Sequence, residues 1–332
     1  MSTATVAVSL PPMTPVYRRV RGYFAPVVRA TGSPTIFDPS QAASFQLDAP
    51  PAPWIDLGYL RKFARTSGTK VMALEGGSPR TAQLQARDAI GSTISLQFEQ
   101  WTKLTMTLAA GAQHMNVLAA TGQPGDGIES GSGSSNVVAA APLLAQSSTA
   151  SFLAMDAASL PGFEAGDIVA VDEDYTGQQG FVGAGASTAY LRSAAAVASD
   201  PHYIRRVTLN VARVAQVTST GLQLATPLPA GSPTTAMKVQ PAVGFVDREG
   251  GTFFHEWSAI FAMGGEQGEV VFLHYPRLQA MAGSAESLSL MMDPLTQVLL
   301  SAEFRALPVT DPIDGEQVCC FRTFVPASNS LV

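Results

Sequence analysis

Four histidines (His114, His202, His255, His274), two adjacent cysteines (Cys319, Cys320) and the acidic run Asp172-Glu173-Asp174 are the residues of this chain whose chemistry could hold a metal or drive catalysis. Their spacing supports neither use. The histidines are scattered, and no HExxH or paired Cys/His pattern gathers ligands for zinc. The acidic run lacks the spaced oxygens and terminal Glu of a calcium loop, so it reads as a solvated turn after a strand. Neighbouring residues of a strand point to opposite faces, so Cys319 and Cys320 form no disulfide framework and fit a reduced, cytoplasmic birthplace. No GxSxG elbow and no Ser/His/Cys arrangement supplies a nucleophile, and nothing nominates a carboxylate pair. The segment GQPGDGIESGSGSS at 122–135 lacks the Gly-Lys-Ser/Thr of a phosphate loop and reads as a linker. Trp54, Trp101 and Trp257 could build a sugar-stacking platform, but each sits in an apolar run, where packing is the expected role. The expectation is a protein with no catalytic residues, metal or cofactor, and not an enzyme.

The elements around these residues repeat with a period of two. Ile94, Leu96 and Phe98 alternate with Ser95, Gln97 and Glu99, and Val298, Leu300, Ala302, Phe304 and Ala306 alternate with Leu299, Ser301, Glu303, Arg305 and Leu307. That period marks strands with one buried and one wet face. Further strands are expected at 168–171, 207–217, 222–225, 253–263, 271–275 and 317–325. A helix is expected at Gln100–Ala112, where Trp101, Leu104 and Leu108 share a face, with a continuing strand as the alternative because Leu104, Met106 and Leu108 also alternate. A second helix is expected across Leu278–Met292. The fold class is therefore mainly β, with one or two helices. Only 14% of residues are charged, while 29 Gly and 23 Pro suit a turn-rich β protein. A net charge of −6 opposes a protein that grips nucleic acid by its phosphates. No run reaches the roughly 18 apolar residues that would span a bilayer, and the start MSTATVAVSL has neither the basic region nor the apolar run of a secretory leader.

Five segments follow. Residues 1–44 carry Pro11, Pro12, Pro15, Pro26, Pro34 and Pro39, which suits either a solvated tail or an extended arm. The apolar residues Val16, Tyr17, Tyr23, Phe24, Val27 and Val28 favour the arm. Its anchors toward a neighbouring subunit are expected to be Arg18, Arg19, Arg21, Tyr23, Phe24 and Arg29. Residues 45–120 form the first half of a main domain, 121–149 a Gly/Ser-rich linker, 150–237 an inserted small β domain, and 238–332 the second half of the main domain.

With these blocks laid out, the chain resembles the major tail tube proteins of bacteriophages. The likeness lies in Trp54-Ile55-Asp56-Leu57-Gly58-Tyr59-Leu60, Phe63, Arg65-Thr66-Ser67-Gly68-Thr69, Ala86-Arg87, the strand Thr93–Phe98, and Trp101, Lys103 and Leu104. It resumes in Phe245-Val246-Asp247-Arg248-Glu249-Gly250-Gly251. It covers roughly 45–120 and 243–326, and the insert looks like the extra β domains that decorate such tubes. The resemblance implies a tail-tube β-sandwich or barrel, six-fold rings stacked around a channel, and a place in the virion tail after assembly in the host cytoplasm. Partners would be other copies of the chain and other tail proteins, with double-stranded DNA passing through unbound and no membrane involved. The wet positions Ser95, Gln97, Glu99, Ser301, Glu303 and Arg305 are then candidates to line the channel. The alternative reading is a β-sandwich carbohydrate-binding or adhesion module.

Overall fold

The computed structural model describes residues 17–28, 31–110, 113–119, 138–172, 210–248, 256–266, 268–281, 285–290 and 296–326. In chain order the first strands are β1 (Tyr17–Pro26), β2 (Ile55–Gly76) and β3 (Thr81–Phe98), followed by helix α1 (Lys103–Ala110). Next come β4 (Gln113–Leu118), β5 (Ala141–Pro142), β6 (Phe152–Ala154), β7 (Ile168–Asp172), β8 (Val211–Thr218), β9 (Gly221–Leu224) and β10 (Lys238–Arg248). The last group is β11 (Glu256–Gly265), β12 (Val270–Ala280), β13 (Ala285–Leu290), β14 (Thr296–Ala306), β15 (Val309–Thr310), β16 (Gln317–Val318) and β17 (Phe321–Val325). The protein is mainly β, as the periodicity predicts.

Six strands close on themselves. β1 pairs with β2 and β11, β2 with β3, β3 with β14, β14 with β12, and β12 with β11, all antiparallel. Closure removes the sheet edges that an open sheet would leave. β13 and β17 extend β14 and β12 outside the ring. The alternating residues do what their spacing dictates: Ile94, Leu96 and Phe98 of β3 and Leu300, Ala302 and Phe304 of β14 all point inward and are buried. Phe24 packs there against Trp257, Phe261 and Phe304 at centroid distances of 6.2, 6.0 and 5.6 Å. Leu104 and Leu108 of α1 join the same cluster, while Trp101 precedes the helix and is exposed, against the expected shared face.

β11 is buried on both faces. Outside the barrel, Tyr23, Ile260, Ala262 and Phe272 are covered by Phe37, Phe45 and Trp54 from the segment between β1 and β2. β1 is therefore a central strand, so Tyr17–Pro26 belongs to the barrel and not to an extended arm, while residues 1–16 of the expected arm lie outside the described residues. The prolines flank it: Val16–Ala25 contains none, and Pro26 stands at the strand's last position, where it interrupts little. The helix expected over Leu278–Met292 is also corrected, because β12 continues to Ala280 and Ala285–Leu290 pairs along β14. Cross-strand pairing there overrides the helix preference of Ala, Glu and Leu.

A second sheet runs in the order β4-β10-β7-β8-β9-β6, with β5 on β10. Its own core contains Leu153, Val169, Val171, Val214, Leu222 and Val239. β4 and β10 lie outside 150–237, so this sheet is wider than the expected insert. At Gly221 an added Cβ would stand 2.1 Å from the Leu153 carbonyl oxygen, so the β6–β9 pairing requires glycine there. Among the described residues no helix is long and apolar enough to cross a membrane.

Candidate assembly surfaces

The strand period puts one polar face outside the barrel. β14 and β3 pair in the register Ser301↔Gln97, Glu303↔Ser95 and Arg305↔Thr93. β2 continues the rows with Lys62 beside Gln97, Ala64 beside Ser95 and Thr66 beside Thr93. Five of the six sequence-predicted wet residues thus share one surface. Ser95, Gln97 and Ser301 are half-buried, while Glu303 and Arg305 are exposed. Glu99 lies one residue beyond β3 and is also exposed. Lys62, Glu303 and Arg305 alternate in sign, so this face is not a basic stripe of the kind that holds phosphate.

Past Thr66 and Thr93 the hairpin has no sheet neighbour. β1 stops pairing with β2 at Leu60, and β14 reaches β3 only from Thr93 onward, yet β2 and β3 pair as far as Gly76↔Thr81. Residues 66–75 and 81–91 are exposed throughout. Gly77 turns the chain with φ +93°, a conformation open chiefly to glycine. The ribbon carries Val71, Met72, Leu74, Leu84 and Ile90, between 45% and 65% exposed. Leu74 faces Leu84 and Met72 faces Ala86 in the register, which makes one apolar face at the tip. Lys70 and Asp88 pair at 2.9 Å lower on the ribbon. A two-stranded ribbon is marginal alone in water, and clustered exposed apolar side chains mark contact surfaces. The sequence reading missed it. The available signal was Gly76-Gly77-Ser78-Pro79 between two runs rich in Val, Met, Leu, Thr and Ile.

A cleft of about 950 Å³ separates the start of β2 from the second sheet. Its lining includes Pro50, Pro53, Trp54, Val211, Leu228 and Phe245. Lys103, also in the lining, is buried, donates from Nζ to Asn116 Oδ1 at 2.6 Å and lies 5.3 Å from the Phe245 ring centre. Burial pushes its amine well below the ordinary lysine value, partly opposed by the charge of Asp172.

Of the residues expected to anchor an arm, Arg21, Tyr23 and Phe24 contact their own subunit. Phe24 is inside the barrel, and Tyr23 donates its hydroxyl to the Leu47 carbonyl at 2.9 Å while meeting Phe45 edge-on at 5.0 Å. Burial raises the Tyr23 phenol above its ordinary value. Arg21 binds both Asp56 and Asp48, and these partners raise its pKa further. Arg19 is exposed and lies over Tyr59, 5.1 Å from the ring centre. Arg18 lies in β1, and Arg29 lies outside the described residues.

The remaining candidates stay apart. Among the described residues no three His, Cys, Asp or Glu side chains gather as metal ligands. His114 lies in β4 and His274 is buried beside Phe37, Trp54 and Phe321. His202, His255, Glu173, Asp174 and the 122–135 segment lie outside the described residues. Cys319 is buried and Cys320 half-buried, both thiols being raised by burial. Trp54 and Trp257 sit in different cores, on opposite faces of the barrel wall, and Trp101 is exposed. Neither a protein-family model nor a curated protein matches this chain.

Proposed function

We propose that this chain is a structural subunit that assembles into a tube, in the manner its resemblance to phage major tail tube proteins implies: stacked hexameric rings around a channel for genome delivery. The observation that carries the reading is the hairpin over 66–91, a ribbon exposed on both faces with apolar side chains at its tip, projecting from a closed barrel. Such a ribbon gains stability only against a partner, and a repeating structural subunit supplies copies of itself as partners. The polar face of β2, β3 and β14, mixed in charge on a chain of net charge −6, suits a channel wall that lets DNA pass without holding it. The alternative, a carbohydrate-binding module, wants a shared aromatic platform, and the three tryptophans are dispersed. The test is negative-stain microscopy of the purified full chain at rising concentration. Rings or tubes are expected. Monomer alone, at all concentrations and in the presence of the other tail proteins, would overturn the proposal.

A further inference from the structure

We infer that the hairpin tip of one copy seats in the cleft between the barrel and the second sheet of the next copy. The inference rests on the tube reading and names its contact. Both features carry apolar side chains on the same chain. Met72, Leu74 and Leu84 are exposed at the tip. In the cleft the half-buried Pro53 and Phe245 stand beside the buried Trp54 and Leu228, with Asp48, Asp56 and Arg213 also in the lining.

They cannot meet within one molecule. The cleft touches β2 at Ile55 and Asp56, whereas the tip pair Leu74↔Leu84 stands eighteen residues further along the same strand. At about 3.3 Å per residue that separation is about 60 Å of strand, less the shortening at the register shifts at Leu60/Lys62 and Lys70/Val71. A projection at one end and a receptor at the other define a head-to-tail contact, which closes into rings or propagates as filaments.

The dimensions fit as well. Residues 66–91 supply a ribbon of twenty-six residues, within the roughly 20–30 residues a side of a standard interface. The cleft volume lies in the range that encloses a compact apolar body. Pro50, Pro53, Pro227 and Pro229 around the cleft have no N–H to offer a new strand. The tip therefore enters by its side chains, with Leu74 and Leu84 leading, and not by strand addition.

The experiment replaces Leu74 in the full chain by a photo-crosslinking benzoylphenylalanine, irradiates assembled protein and maps the linked peptides. Links between copies to residues 50–56 or 226–231 are expected. Links to another hairpin, to the polar face of β3 and β14, or within one copy overturn the contact while leaving tube formation standing. Absence of any assembly overturns the contact and the tube reading together. The double variant Leu74→Asp/Leu84→Asp changes only exposed positions. It should retain the circular dichroism of the native monomer and lower the assembled fraction at least about tenfold at equal concentration. Unchanged assembly by a folded double variant overturns the inference.

Discussion

Arg21 grips Asp56 with two nitrogens, Nε on Oδ1 at 3.1 Å and Nη2 on Oδ2 at 2.6 Å. The fork spans β1 and β2 where their register shifts between Arg21 and Tyr23, and Asp56 Oδ1 also accepts the Gly58 amide at 2.8 Å. A bidentate pair of this kind is stronger than an ordinary surface ion pair and depends on the planar guanidinium.

Arg21→Lys keeps the charge and loses the fork. It should lower stability by about 1.5–3 kcal/mol, the value of a hydrogen bond to a charged group, in denaturant unfolding. The same placement predicts that trypsin leaves the Arg21–Gly22 bond intact in the folded monomer. Rapid cleavage there would mean that β1 leaves the barrel in solution.

The strands with strict alternation were legible from sequence, residue by residue. Ile94, Leu96 and Phe98 inward, and Ser95 and Gln97 outward, follow from the period alone. β1 was hidden because its prolines lie at its ends, and proline density over forty residues concealed a proline-free stretch. In β11, Trp257, Ala259 and Phe261 share the barrel face as alternation expects, but burial of the other face under Phe37 and Phe45 was hidden because its cover comes from the segment between β1 and β2. The hairpin tip was invisible for the opposite reason: neither face is covered, so no burial pattern organises Val71 to Leu74 or Leu84 to Ile90. The cleft is created by the packing of two sheets distant in sequence, and no local pattern records such a surface.

His274 gives the fold an acid limit. It is 2% exposed, stacks on Phe321 at 5.9 Å and has Nε2 3.3 Å from the Thr35 carbonyl oxygen. Burial pushes its pKa down from 6.5 to about 4. The folded state therefore prefers the neutral ring. Its contribution is full above pH 6.5, declines as the pH falls from 6.5 to 4, and levels off below that. A shift of this size corresponds to about 3 kcal/mol across the window. Denaturant midpoints measured at intervals from pH 7 to 4 should show this slope, and His274→Gln should flatten it. An unchanged slope in the variant would assign the acid sensitivity to other groups.

The second sheet should be separable only at the right boundaries. Asn116 of β4 accepts the buried Lys103 amine of α1, and Phe245 of β10 lies beside it. Replacing 120–237 by a short linker removes the core around Leu153, Val169 and Leu222, and Asp172 with it, but keeps Asn116 and Phe245 beside Lys103. The barrel should remain folded by circular dichroism. Removing 113–248 instead strands the Lys103 amine without Asn116, which costs about 1–3 kcal/mol or more for an unpaired buried polar group. That larger deletion should regain stability when combined with Lys103→Met. If the shorter deletion already unfolds the barrel, the two sheets fold as one unit.

Glu303 offers the sharpest probe of the proposed channel. It stands exposed beside Ser95, on a face where Lys62 and Arg305 already contribute positive charge. Glu303→Lys would make all three of these charges positive, and assembly would repeat the change in every ring. A basic wall holds DNA by releasing counterions from phosphate, an effect that weakens steeply with salt. At about 0.1 M salt the screening length is about 10 Å, and at 1 M about 3 Å. Tubes carrying Glu303→Lys should therefore slow DNA release at low salt and approach the native rate at high salt, with Glu303→Gln intermediate. The readout is the rate of dye-accessible DNA released from particles with triggered tails. A Glu303→Lys tube that assembles and releases DNA at the native rate at low salt would place this face away from the channel.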